Sequence, residues 1–144
     1  MSNNYSQGFY NIKHPEKYIG QKVPKYRSSW EMTFFMFCDN NPAVLQWASE
    51  SITIPYRNPL TGKHTIYVPD VFVVYQNKNG QKVAELIEIK PLKQTSLTEA
   101  KTTRDKAHAI INMAKWESAS KWCKKNGIRF RVISEKDIFF NGRK

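Results

Sequence analysis

The stretch "PDVFVVYQNKNGQKVAELIEIKP", residues 69–91, holds two apolar runs around a turn, and its register decides the fold. "VFVVYQ" and "KVAELIEI" are rich in β-branched and aromatic residues, and "KNG" between them is a hairpin signal. Two charges break the pattern. Glu88 and Lys90 stand among Leu86, Ile87 and Ile89, where an unpaired charge out of water is costly. Side chains alternate along a strand, so Glu88 and Lys90 share a face, about 6.6 Å apart.

The turn sets what they face. A two-residue Asn79-Gly80 turn pairs Lys78 with Gln81 and puts Asp70 opposite Ile89, with Glu88 on the other face. A three-residue Lys78-Asn79-Gly80 loop pairs Asn77 with Gln81 and brings Asp70 directly across from Glu88, β-carbons about 5 Å apart. Gly80 sits where such loops need a left-handed residue, so the three-residue form is expected. Two facing carboxylates repel unless a cation lies between them. Oxygen-only donors of this kind suit Mg²⁺, with Mn²⁺ as a substitute, and a nearby lysine can orient a water or offset charge on a phosphate. An E-x-K alone is more often a solvated ion pair. Pro69-Asp70 on the preceding strand and a basic segment after Pro91 turn that reading toward a site.

The chain has 144 residues with 40% hydrophobic and 13% aromatic side chains, which suits one globular domain. No apolar run approaches the ~20 residues of a bilayer span, and the polar start lacks a signal-peptide core, so an unsecreted chain is expected. Cys38 and Cys123 are far apart and are expected as reduced, packed thiols, although a disulfide stays open. His14, His64 and His108 form no zinc pattern with them. The net charge is +11, and residues 90–144 carry fourteen Lys/Arg against five Asp/Glu. Residues 1–89 carry nine against seven. Such asymmetry points to a polyanionic partner, most often nucleic acid.

Residues 1–27 read as an irregular arm. "SSWEMTFFMFCDNNP" reads as a helix capped by Ser28 or Ser29, with Trp30, Phe34 and Phe37 on its apolar face. "PAVLQWASE" reads as a short helical turn, and "SITIPYRN" as an edge strand because of Pro55. "KHTIYVPDVFVVYQ" reads as one long strand. Residues 96–127 read as one helix whose face carries Ala107, Ile111, Ala114, Ser118 and Trp122. "IRFRVIS" is a further strand and "SEKDIFF" a short terminal helix. The order gives an α/β fold, a mixed β-sheet flanked by helices.

"PD" followed by "EIK" resembles the PD-(D/E)xK nuclease motif, with Pro69, Asp70, Glu88, Ile89 and Lys90 matching it position by position. The ordered set "YRSSWE", "WASESITIPY", "PD…IEIKP", the Lys-rich helix and "KNGIRFRVISE" is similar to the head-completion nucleases of contractile-tailed phages. The likeness runs from about Pro24 onward and implies a restriction-endonuclease-like core over residues 28–144. It implies that Asp70 and Glu88 hold Mg²⁺ with the Ile89 carbonyl as a further ligand, and that Lys90 activates the attacking water. A further acid from the first helix, Glu31, would hold the metal or its water, with Glu50 as the second choice. Cleavage of DNA during head completion follows from the same resemblance, with portal or neck proteins as partners.

Arg27 and Tyr26 precede a helix start, where a phosphate is favoured, and are expected DNA contacts. Lys93, Lys101, Arg104 and the Lys121, Lys124 and Lys125 group are expected to supply the electrostatic footprint on DNA. Glu85 falls on the face opposite Glu88 and is expected as an exposed charge. Trp30 and Trp47 are expected in the core.

Overall fold

A computed structural model of the chain describes residues 7–91, 101–134, 136 and 137. Among them, four strands form the central sheet: β3 (Val44–Ser49), β6 (Val71–Gln76), β7 (Lys82–Ile89) and β8 (Arg129–Ile133), in the order β3-β6-β7-β8. β3, β6 and β7 run antiparallel in turn, and β8 lies parallel to β7. The parallel step requires a crossover, which helix α2 (Thr103–Lys125) supplies. Helix α1 (Ser29–Asn40) packs Phe35 and Cys38 on Val71, Val73, Ile87 and Ile89, one face of the sheet. The other face carries Leu86 and Phe72 against Ala119 and Cys123 of α2. The fold is the expected α/β arrangement of a mixed sheet between helices.

The hairpin takes the expected register. Val71 pairs with Ile87 and Gln76 with Lys82, so one more step places Asp70 across from Glu88. The Asn77 N–H donates to the Gln81 carbonyl at 2.9 Å, and Gly80 closes the three-residue loop with φ +77°.

Several elements depart from the sequence reading. Residues 44–49 are a strand, not a helical turn: Trp47 is fully buried, covered by Tyr10 and Tyr18 of the N-terminal arm and by Phe35. Burial on both faces removes the polar–apolar alternation that announces a half-buried strand. "KHTIYVPDVFVVYQ" breaks in two, because Pro69 cannot donate to a ladder. Its first half, β5 (His64–Tyr67), pairs with β4 (Ile54–Arg57) in a separate ribbon, and Pro55 lies in that edge strand as expected. From residue 7 the described part of the arm contains regular pairing where none was expected: β1 (Gly8–Phe9) pairs with β2 (Lys25–Tyr26), and the Ile19 N–H donates to the Trp47 carbonyl along the open edge of β3. That cover satisfies an edge that would otherwise invite another strand.

Both helices bury a different face from the one their large residues suggested. In α1 the buried residues are Phe35, Cys38 and Asp39, while Phe37 is 38% exposed. In α2 they are Ala109, Asn112, Ala119 and Cys123, small groups that let the helix approach closely, with Ile111, Ala114 and Trp122 only partly buried. The described part of α2 begins at Thr103, capped by the Thr102 hydroxyl, so residues 101–102 are not helical. Most of the expected terminal helix lies outside the described residues. Cys38 and Cys123 are free and buried, one in each core cluster.

Candidate active site

Asp70 follows the buried Pro69 where the chain leaves the β4–β5 ribbon for the sheet. The Ile89 N–H donates to its Oδ2 at 2.7 Å, which fixes the carboxylate against the end of β7. Glu88, only 4% exposed, comes from β7, and Lys90 extends from the same face with Nζ 3.6 Å from Glu88 Oε2. The other oxygen, Glu88 Oε1, is buried without a hydrogen-bond partner. Burial and the facing charge of Glu88 push the Asp70 carboxyl well above its ordinary range, and Glu31 adds to the effect. Burial also raises Glu88, against the pull of Lys90, Tyr67 and Lys115. Two carboxylates held in this way lack positive charge.

The first-helix acid stands beside this pair. Ser28 caps α1, its Oγ accepting from the Glu31 N–H at 3.1 Å, and Glu31 Oε1 accepts from the Arg27 N–H at 3.1 Å. This is a capping box displaced by one residue. Burial raises the Glu31 carboxyl above its usual range, and Glu50 adds to the rise. Glu50 is instead taken by Arg27, whose Nη1 lies 2.8 Å from its Oε2. Its N–H donates to the Asp70 carbonyl at 3.0 Å, and its φ of 49° is left-handed, a strained conformation for a side chain of this kind. Among the described residues no group of three or more His, Cys, Asp or Glu side chains is placed to hold a metal ion, so Glu31 neighbours the pair without closing a three-acid cage.

The donor set fits a hard divalent cation. It offers only oxygen, one of its oxygens is buried without a well-formed hydrogen bond, and burial holds both acids above their ordinary range, with the charge of Glu88 adding to the rise at Asp70. The chain's own hydrogen bonds leave these acids short of a partner, which a cation would supply.

Some expected residues fall elsewhere. Lys101 and Arg104 are exposed at the start of α2, and Arg27 is exposed beside Glu50, open to solvent for a phosphate. Lys93 lies outside the described residues. Glu85 is not an exposed charge: it is buried, accepts from Tyr75 Oη at 2.5 Å and faces Arg131 Nε at 3.5 Å. Trp47 is core and Trp30 is partly buried against it, as expected. The site also has a wall that the sequence reading missed. Tyr67 packs beside Glu88, and its hydroxyl lies close to both the Glu88 carboxylate and the Trp116 indole N–H, although none of the three buried atoms completes a well-formed hydrogen bond. Lys115 projects over the Tyr56 and Tyr67 rings. Nothing in the sequence separates this lysine from the other 22 Lys and Arg residues, because its place depends on the β4–β5 ribbon folding under α2.

Two comparisons bear on this arrangement. A family model described as TnsA-like endonuclease N terminal matches residues 41–135, which include Asp70, Glu88 and Lys90. The head completion nuclease of Enterobacteria phage T4 is 36% identical over 134 residues, covering 85% of this chain and 87% of that protein. The chain belongs to this head-completion nuclease family and carries the TnsA-like, restriction-endonuclease-like domain.

Proposed function

We propose, with that family membership as the premise, that this chain is a nuclease of phage head completion that hydrolyses DNA phosphodiester bonds with Mg²⁺, for which Mn²⁺ can substitute. The observation that carries the proposal is the facing Asp70–Glu88 pair, with the buried Glu88 Oε1 lacking a well-formed hydrogen bond, beside Lys90. Asp70, Glu88 and the Ile89 carbonyl would hold the cation, and Glu31 would hold its water. A bound cation supplies positive charge to the phosphate oxygens and lowers the pKa of water.

The remaining work falls to the chain's own side chains. Asp70 is anchored through Oδ2 by the Ile89 N–H, which leaves its Oδ1 for the cation. Lys90, held near Glu88 on the same face, presents an ammonium that orients a water for attack on phosphorus and offsets the negative charge that grows on the phosphate oxygens. Arg27, together with Lys93, Lys101 and Arg104, would hold the flanking backbone, giving affinity without reading sequence. The same reading makes DNA the substrate, head or neck proteins the partners, and the host cytoplasm the place of action. Among the described residues no helix is long and apolar enough to cross a membrane.

The test is incubation of plasmid with the protein and Mg²⁺, beside Asp70→Asn and Lys90→Ala. The expected result is cutting by the wild-type chain alone. Cutting that survives both substitutions overturns the assigned site. Salt-dependent DNA binding with no cutting favours an idle DNA-binding head protein that retains the fold.

A further inference from the structure

Lys115 is the one basic residue of α2 that the fold turns inward toward the carboxylate pair. Its ammonium lies over aromatic surface, with Nζ 5.5 Å from the centre of the Tyr67 ring and 5.9 Å from that of Tyr56. Cation–π contact at such distances holds an ammonium in place without neutralising it. Among the described residues no carboxylate lies within ion-pair distance of Lys115. The Tyr67 ring beneath it backs onto Glu88, and the charges of Glu88, Asp70 and Lys90 all act on Lys115. A half-buried lysine with no anion of its own is an incomplete arrangement.

Charge shows what would complete it. Asp70 and Glu88, when ionised, balance Lys90 and Lys115. A divalent cation between the carboxylates would leave this group with two uncompensated positive charges, both at the mouth of the site. A backbone phosphate, with its one negative charge, would neutralise one of them and leave the other for Glu31 or the next phosphate. We propose that Lys115 contacts a DNA phosphate at the cleavage centre, as a second lysine beside Lys90, and that a divalent cation in the site strengthens this contact. The inference rests on the nuclease reading above and adds a residue that the motif does not contain.

Helix geometry distinguishes Lys115 from the outer basic residues. Arg104 lies eleven residues earlier on α2, three turns and about 20°, so both project from one side of the helix about 16 Å apart. That distance corresponds to roughly five base pairs of rise along the duplex axis at 3.4 Å each. Lys115 therefore holds the backbone at the cut while Arg104 holds it well to one side.

The experiment measures binding of a short DNA duplex by fluorescence anisotropy across a series of salt concentrations, in EDTA and in Ca²⁺ to avoid cleavage. The proteins are the wild-type chain, Lys115→Met, which keeps an unbranched stem, Lys115→Gln and Lys115→Arg, each with a thermal melt. With Ca²⁺, Lys115→Met and Lys115→Gln should weaken binding about 5- to 10-fold and reduce the salt slope by about one. Lys115→Arg should restore most of both, and the loss should shrink in EDTA. Wild-type affinity and slope in Lys115→Met or Lys115→Gln overturn the inference, as does equal weakening in all three variants. A Tm change with DNA binding intact also overturns it, showing only a structural counterion. If the wild-type chain binds no DNA in either condition, the nuclease reading fails as well. If it binds and cuts while the neutral Lys115 variants match it, only this inference fails.

Discussion

Asp39 and Glu88 are both buried carboxylates, 0% and 4% exposed, yet their surroundings are opposite. Asp39 accepts from Tyr10 Oη at 2.6 Å and from the backbone N–H groups of Lys13 and His14 at 2.8 and 3.0 Å. Burial works against its charge, but these donors outweigh burial and hold its carboxyl below the ordinary range. Glu88 keeps one oxygen without a donor and faces a second acid, and its carboxyl is raised. Glu85, three positions earlier on the same strand and so on the other face, has both Tyr75 and Arg131. A buried acid whose hydrogen bonds are complete holds structure together, as Asp39 ties the arm to α1. One left incomplete costs stability, and a fold keeps that cost where something else is to bind.

The comparison breaks most visibly at the site. Asp70→Asn and Glu88→Gln should each lower plasmid cutting by about 10²–10⁴-fold, the range for a group acting on the reacting atoms. Asp39→Ala should leave the geometry of the site in place but destabilise the fold by about 3 kcal/mol, since three donors lose their acceptor. Urea titration measures it, and an unchanged midpoint would remove the contrast.

The pH dependences should have opposite signs. Asp39 has a lowered pKa, so its contribution is present above the ordinary carboxylate pKa of about 4 and lost as pH falls below it. Asp70, Glu88 and Glu31 have raised values, so the folded form binds protons first and their cost grows as pH rises from about 4 through those values. Without divalent ions, the Tm should therefore rise as pH is lowered from neutral toward about 4, then fall below it. Asp70→Asn should flatten the first slope and raise the Tm at neutral pH by about 3–5 °C, the change that roughly 1 kcal/mol produces at this size. Mg²⁺ should raise the wild-type Tm at pH 7 and have less effect on Asp70→Asn.

The smallest expected change is at Gly80. Nothing lies within 4 Å of an added Cβ, so Gly80→Ala tests only the left-handed backbone and should cost about 1 kcal/mol by denaturant titration. A neutral result would remove the conformational reason for the loop that aligns Asp70 with Glu88.

Much of the sheet's centre was legible because local rules govern it. Asn77, Gly80 and Gln81 set the hairpin register by turn chemistry, and that register carries the Asp70–Glu88 pairing. Glu31 was legible as a helix-start residue, since Ser28 capping is also local. The strand that carries Trp47 was not, although Trp47 itself was expected in the core, because that strand is buried by an arm thirty residues away in sequence. The same holds for Phe35 and Ala119, whose burial depends on what packs against each helix and not on the size of the side chain.

By itself the sequence determined the mixed α/β class, the alternation that sends Glu88 and Lys90 to one face, and the turn that brings Asp70 across. Periodicity and turn geometry act over a few residues, so they can be read in a line of text. Only the tertiary structure decided that Asp39 and Glu85 are satisfied while Glu88 is not, that Arg27 occupies Glu50, and that Lys115 stands over Tyr67. Burial and the supply of hydrogen-bond donors are set by residues far apart in the chain, and no local pattern encodes them.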